Sequence, residues 1–157
     1  MIEQIYTYFT IEMIFMWINL GVLPFWLVLV IFPQSQICRV FITSIFPIFI
    51  LSLVYGYLFY LFFDEGYNFI KNFEIYLGLD AIGNLFTDKA FIILFWSHFL
   101  AINLFCGGWI VKDSQKFGIN KILISFPLLI TYFIGPIGLT LYWIIRIFYA
   151  KRISLYD

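Results

Sequence analysis

The side chains able to do chemistry in this sequence are few, and the most telling of them share one apolar run. Residues 95–113 are long and apolar enough to cross a bilayer, yet they hold the single histidine, His98, with Asn103 five positions on and Asp113 at the far end. An imidazole gains and loses a proton near neutrality, so His98 is the candidate acid or base. Asn103 can donate a hydrogen bond to an oxygen but cannot supply a proton. At about 100° per residue the two point about 140° apart, so they bracket a space instead of touching. Asp113 lies about 22 Å from His98 along an unbroken helix, which excludes a direct dyad unless the chain breaks at Gly107-Gly108. Each residue also has a purely structural alternative. His98 can be a hydrogen-bonded packing residue, Asn103 can join two helices, Asp113 can cap a helix or pair with Lys112 or Lys116, and the two glycines can form a packing seam.

The elements that must position these groups follow from composition. With 64% hydrophobic and 11% charged residues, against about 45–50% and about 25% in soluble domains, the chain reads as an all-α integral membrane protein. Each crossing takes about 20 residues, so the whole of 1–157 makes one membrane domain of four transmembrane helices in an antiparallel bundle. The apolar runs place them at about 13–32, 39–63, 90–111 and 121–149. The link 34–36 is too short for anything but adjacent, antiparallel neighbours. Between the second and third helices, 64–89 mixes acids with aromatic and aliphatic residues at spacings of three and four, which predicts a short interfacial helix.

Other features narrow the class. Lys+Arg and Asp+Glu balance at nine each, and no basic stripe exists, so a nucleic-acid partner is not expected. Cys38 and Cys106 lack companions at metal-ligand spacing and read as packing residues, with no disulfide framework. No cofactor or metal is expected; haem ligation through His98 is the one exception to test, and a lone histidine rules out bis-histidine ligation within one chain. The start, Met1-Ile2-Glu3-Gln4, has neither the basic region of a secretory signal nor the arginine-rich character of a transit peptide. For four crossings, Lys71, Lys89, Arg146, Lys151 and Arg152 fall on one side and Arg39, Lys112, Lys116 and Lys121 on the other, too even a split to orient the protein.

Helix-breaking and polar residues recur near mid-depth: Asn19 with Pro24, Pro47 with Ser52, His98 with Asn103, and Gly135 with Pro136. Pro136 frees the carbonyl of Tyr132, and its flanking glycines allow close approach. Irregular backbone at that depth survives only when buried in protein or lining a cavity, so one central pocket is expected, open to lipid or to one interface.

The order and spacing of several motifs resemble a known family. They are Val22-Leu23-Pro24-Phe25 with Pro33, Leu85-Phe86-Thr87, Trp96-Ser97-His98 through Leu104-Phe105 to Asp113, and Gly135-Pro136-Ile137-Gly138. The family is that of the plant abscisic-acid-deficient protein four, associated with neoxanthin synthesis, and its bacterial relatives. Asn103 and Gly108 stand where that family usually carries Asp and Arg, a joint loss that leaves no uncompensated buried charge. The resemblance implies a four-helix protein of a bacterial inner membrane or plastid-type membrane, needed to convert the epoxide violaxanthin to the allenic neoxanthin without net redox change. On that reading His98 and Asn103 are catalytic, and Asn19, Trp96, Tyr132 and Pro136 contact a carotenoid or other long apolar substrate. The alternative is a non-catalytic carotenoid- or lipid-binding helper, a homo-oligomer, or a small subunit of a larger membrane complex; whether the chain is an enzyme stays open between them.

Overall fold

The computed structural model describes residues 9–154, and every regular element among them is helical. In order these are α1 (Ile11–Ile31), a π-helical turn (Cys38–Ile42), α2 (Phe46–Asp64), a 3-10 helix (Phe69–Tyr76), α3 (Leu79–Leu85), α4 (Lys89–Lys116), α5 (Lys121–Phe133) and α6 (Gly135–Ala150). Only α1, α2 and α4 are both long and apolar enough to cross a membrane. Short polar side chains start several elements by accepting otherwise orphaned backbone N–H groups. Thr10 accepts from Met13, Asn68 from Ile70, Asp88 from Ala90 and Asn120 from Ile122. The reading of Met1-Ile2-Glu3-Gln4 lies outside the described residues.

Two expected helix limits change. The second span starts at Phe46 instead of 39, because Ser44 Oγ accepts the Phe46 N–H at 3.1 Å and Pro47, which has no N–H, occupies the first turn where none is needed. Ahead of it, the Cys38 N–H donates to Ser35 Oγ at 3.1 Å. Burial pushes the Cys38 thiol up to about 11, consistent with an inert packing residue.

The second change is larger. The segment expected to cross at 121–149 is broken at Ile134, whose backbone (φ −139°, ψ 79°) leaves the helical region. The first piece, α5, has 13 residues, about 20 Å of helix against about 30 Å of hydrocarbon. Next, α6 opens with Gly135-Pro136 and turns back along α5. At Gly138 the approach is so close that a Cβ would overlap Thr131 Oγ1 and the Thr131 backbone nitrogen. Pro136 causes the break by removing a donor, and glycine permits the return path. A helical hairpin thus stands where one unbroken helix was expected.

By contacts the chain divides into two units, Met1–Asn19 with Ile50–Leu100, and Leu20–Phe49 with Ala101–Asp157. In the first, Ile14, Ile18, Leu58, Phe62, Ile93 and Leu94 are buried, Lys89 bonds Glu12 at 3.0 Å on the surface, and Phe59 stacks on Phe69 at 4.2 Å. In the second, Val22, Trp26, Leu29, Ile110, Val111 and Leu128 form the core. There Gly107 admits the Trp26 ring; a Cβ would stand 2.8 Å from it. Because α4 runs unbroken through Gly107-Gly108, the pair is a seam and not a hinge.

Gly138→Ala should therefore lower stability by about 1–3 kcal/mol through overpacking. Gly21→Ala, with no atom near its would-be Cβ, should be neutral or stabilising by up to about 1 kcal/mol. Unfolding in detergent followed by circular dichroism measures both.

Candidate functional site

Along α4 most of the buried positions, Ala90, Ile93, Leu94, Ser97, Leu100, Asn103, Leu104, Gly107, Ile110, Val111 and Ser114, recur in steps of three and four, with Phe91 and Gly108 buried beside them. His98 falls one position off this stripe, about 100° around the helix, and is exposed. The expectation of a histidine buried at the centre of the protein is thus corrected: His98 stands on the wall of an open cleft of about 300 Å³. Tyr55, Asn72, Ile82, Phe86 and Phe95 also line it. Phe86 meets Phe91 and Phe95 edge-on, with ring centroids 5.3 and 5.0 Å apart, so one wall is a rigid aromatic surface. Asn72 Oδ1 accepts the Tyr67 hydroxyl at 2.8 Å, which leaves the Asn72 amide N–H groups for a ligand. Neither His98 nor Tyr55 has a hydrogen-bond partner among the described residues.

The other residues singled out from sequence separate into two local arrangements. Asn19 and Trp96 meet: Trp96 Nε1 donates to Asn19 Oδ1 at 3.0 Å, while Asn19 Nδ2 donates to the Phe15 carbonyl at 2.6 Å. Trp96 also stacks on Phe99 at 5.2 Å. Asn103 is 4% exposed and sits at the hairpin tip. Its Nδ2 donates over a long 3.5 Å to the carbonyl of Tyr132, the group that Pro136 leaves unpaired. A Cβ on Gly135 would overlap Asn103 Oδ1. The Tyr132 ring packs edge-on to Trp26 at 5.3 Å, and Pro136 is exposed. None of Asn19, Trp96, Asn103, Tyr132 and Pro136 lines the His98 cleft.

A third polar group went unrecognised in the sequence. Arg146 Nε donates to Asp113 Oδ2 at 2.7 Å, and the Tyr142 hydroxyl donates to the same oxygen at 2.6 Å. Arg146 Nη1 reaches the Ser154 carbonyl at 2.8 Å, and its guanidinium lies 4.8 Å from the Phe117 ring centre. The Arg146 and Asp113 side chains are 1% and 10% exposed. Asp113 therefore pairs with Arg146, not with Lys112 or Lys116, and Arg146 does not simply mark a membrane exit. Four positions separate Tyr142 from Arg146, which puts both on one face of α6; that spacing was the available signal. Among the described residues no group of three or more His, Cys, Asp or Glu is placed to hold a metal ion.

The sequence profile of the ABA DEFICIENT 4-like family matches residues 13–142. The chain belongs to that family. This ABA DEFICIENT 4-like protein is similar to Protein ABA DEFICIENT 4, chloroplastic, of Arabidopsis thaliana, at 24% identity over 128 residues. The alignment covers 80% of this chain and 57% of the plant protein, so the chain spans little more than half of that relative's length. No solved structure matches it.

The Asp113–Arg146 pair carries a direct expectation for this family member. Asp113→Asn or Arg146→Met alone leaves a buried charge without its partner and should cost about 3–5 kcal/mol. The double replacement Asp113→Leu, Arg146→Met should recover most of that loss. Double-mutant unfolding in detergent reads the coupling.

Proposed function

We propose that this ABA DEFICIENT 4-like protein binds an oxygenated polyene of the carotenoid class in the His98 cleft and isomerises it. The observation that carries the reading is the cleft's chemistry: an imidazole and a phenol, both without hydrogen-bond partners among the described residues, line a space walled by Phe86 and Phe95. The aromatic wall suits a conjugated chain, and an opening toward lipid suits a substrate dissolved in it. The reaction type in this reading is the one the resemblance to the neoxanthin-synthesis family implies, conversion of an epoxide to an allenic alcohol. In this scheme His98 takes the proton from the terminal vinylic carbon of the polyene, the one bonded to the epoxide carbon, so that the new double bond is cumulated with the existing one. The released electron pair forms the new double bond as the epoxide C–O bond breaks, and the oxygen takes a proton from Tyr55, which His98 then restores. No atom or electron is gained or lost. Asn19, Trp96, Asn103, Tyr132 and Pro136 serve the scaffold in this reading, since hydrogen bonds or ring packing already engage all but Pro136, which shapes the hairpin tip.

The same reading sets the membrane arrangement. Three crossings by α1, α2 and α4 are successive and therefore antiparallel, and α5–α6 enters and leaves on one side as a re-entrant hairpin. Segments 32–45 and 117–154 then share a side with the end of α4. That side carries Arg39, Lys112, Lys116, Lys121, Arg146, Lys151 and Arg152, against Lys71 and Lys89 on the other. This imbalance points the basic side to the cytoplasm or its plastid equivalent. On the opposite side, the exposed Ile70, Phe73, Tyr76, Leu77 and Leu79 seat the 3-10 helix and α3 in the headgroup boundary.

Cells making violaxanthin test the chemistry. Wild type should yield a neoxanthin-type product, and His98→Ala should lower conversion by at least about a hundredfold while purified protein still carries pigment. Identical product profiles would remove His98 from the mechanism. Pigment bound by wild type without conversion would select the helper reading instead.

A further inference from the structure

A second opening, which shares no residue with the His98 cleft, lies on the outward face of α4 and α6. Its larger part is a cavity of about 680 Å³ lined by Phe105, Cys106, Trp109, Leu139, Trp143 and Ile153, within the size range of small-molecule sites. Two of the polar groups on this wall are already used, and the Trp109 indole N–H is the remaining donor. The Thr140 hydroxyl donates to the Pro136 carbonyl at 2.8 Å and Trp143 Nε1 to the Ile153 carbonyl at 3.2 Å. The rest of the lining is apolar, so this part suits a largely apolar occupant.

Phe105 and Trp109 also line an adjoining pocket of about 270 Å³ whose wall includes Thr43, Ser44 and Lys112. The two hydroxyls donate to the Arg39 and Phe41 carbonyls at 3.0 and 2.6 Å. Lys112 is the sole charged residue lining either space, and it has no partner among the described residues. Its neighbour Asp113 cannot neutralise it, because that carboxylate is held by Arg146 and Tyr142. Along α4, Lys112 lies about 10 Å beyond Phe105, toward the helix end. An apolar channel thus leads outward to an uncompensated cation.

We infer that these joined spaces hold an anionic membrane phospholipid, with an acyl chain against Phe105, Trp109 and Trp143 and its phosphate at Lys112. The tail points inward and the head outward, as in a leaflet, and the basic residues around this end favour an anionic lipid over a zwitterionic one.

Lipids that co-purify with the intact protein from cells containing phosphatidylglycerol and phosphatidylethanolamine provide the test, quantified by mass spectrometry. Phosphatidylglycerol should be retained stoichiometrically and enriched over phosphatidylethanolamine, and Lys112→Gln should cut that enrichment about fivefold. Lys121→Gln, away from both pockets, should leave it unchanged. Millimolar inorganic phosphate should not displace the lipid. Equal retention of both lipids, an unaltered ratio in Lys112→Gln, or displacement by free phosphate would each overturn the assignment. Because Lys112 is exposed, the variant should fold, and its melting temperature in phosphatidylcholine nanodiscs should equal that of wild type.

Discussion

A proline without an N–H, set in the middle of an apolar segment, is the constraint from which the rest of this structure follows. Pro136 deprives the Tyr132 carbonyl of its helical partner, and in a lipid-facing protein that group has no water to turn to. Asn103 on α4 offers its amide instead. Once the helix is broken there, neither half is long enough to cross, and α6 must return along α5. Gly135 and Gly138 give the room, one beside Asn103 and the other against Thr131. The base of the hairpin is then tied down twice: Ser125 Oγ donates to the Val30 carbonyl at 3.1 Å, and Arg146 pairs with Asp113.

Much of this was legible before any coordinates, but unevenly. The three long spans follow from hydropathy alone, and the freed Tyr132 carbonyl follows from Pro136. What hydropathy could not register was a break: 121–149 is apolar throughout, so its pattern reads as one crossing although Gly135-Pro136-Ile137-Gly138 interrupts it. Pro47 shows the same blindness at smaller scale. It fits a first turn better than a helix interior, and Ser44 three positions earlier is the cap that marks where the helix starts. His98 failed for another reason. An ionisable residue in an apolar run suggests burial, and because α4 is apolar on every side its sequence does not reveal that the buried stripe through Ser97, Leu100 and Asn103 leaves His98 outside it. Arg146 is the converse case, a residue whose type suggested the surface and whose partner, Asp113, lies 33 positions earlier.

These corrections change where chemistry can occur. A four-crossing bundle would have put its polar residues around one interior hollow. The chain instead spends Asn103, Asp113, Tyr142 and Arg146 on holding the hairpin, and leaves His98 and Tyr55 on an open cleft without hydrogen-bond partners among the described residues. The hairpin's polar side chains bond to one another or to backbone, whereas His98 and Tyr55 bond to none of the described residues. The motifs that carry the resemblance to the ABA DEFICIENT 4-like family thus span both kinds of residue.

The hairpin itself is the central claim, and labelling from one side of the membrane tests it most directly. In a Cys38→Ala, Cys106→Ala background, Lys121→Cys and Lys151→Cys introduce single thiols at the two ends of α5–α6. An impermeant maleimide applied to oriented cells or vesicles should label both positions from the same side. Labelling from opposite sides would restore a full crossing over 121–149 and contradict the account.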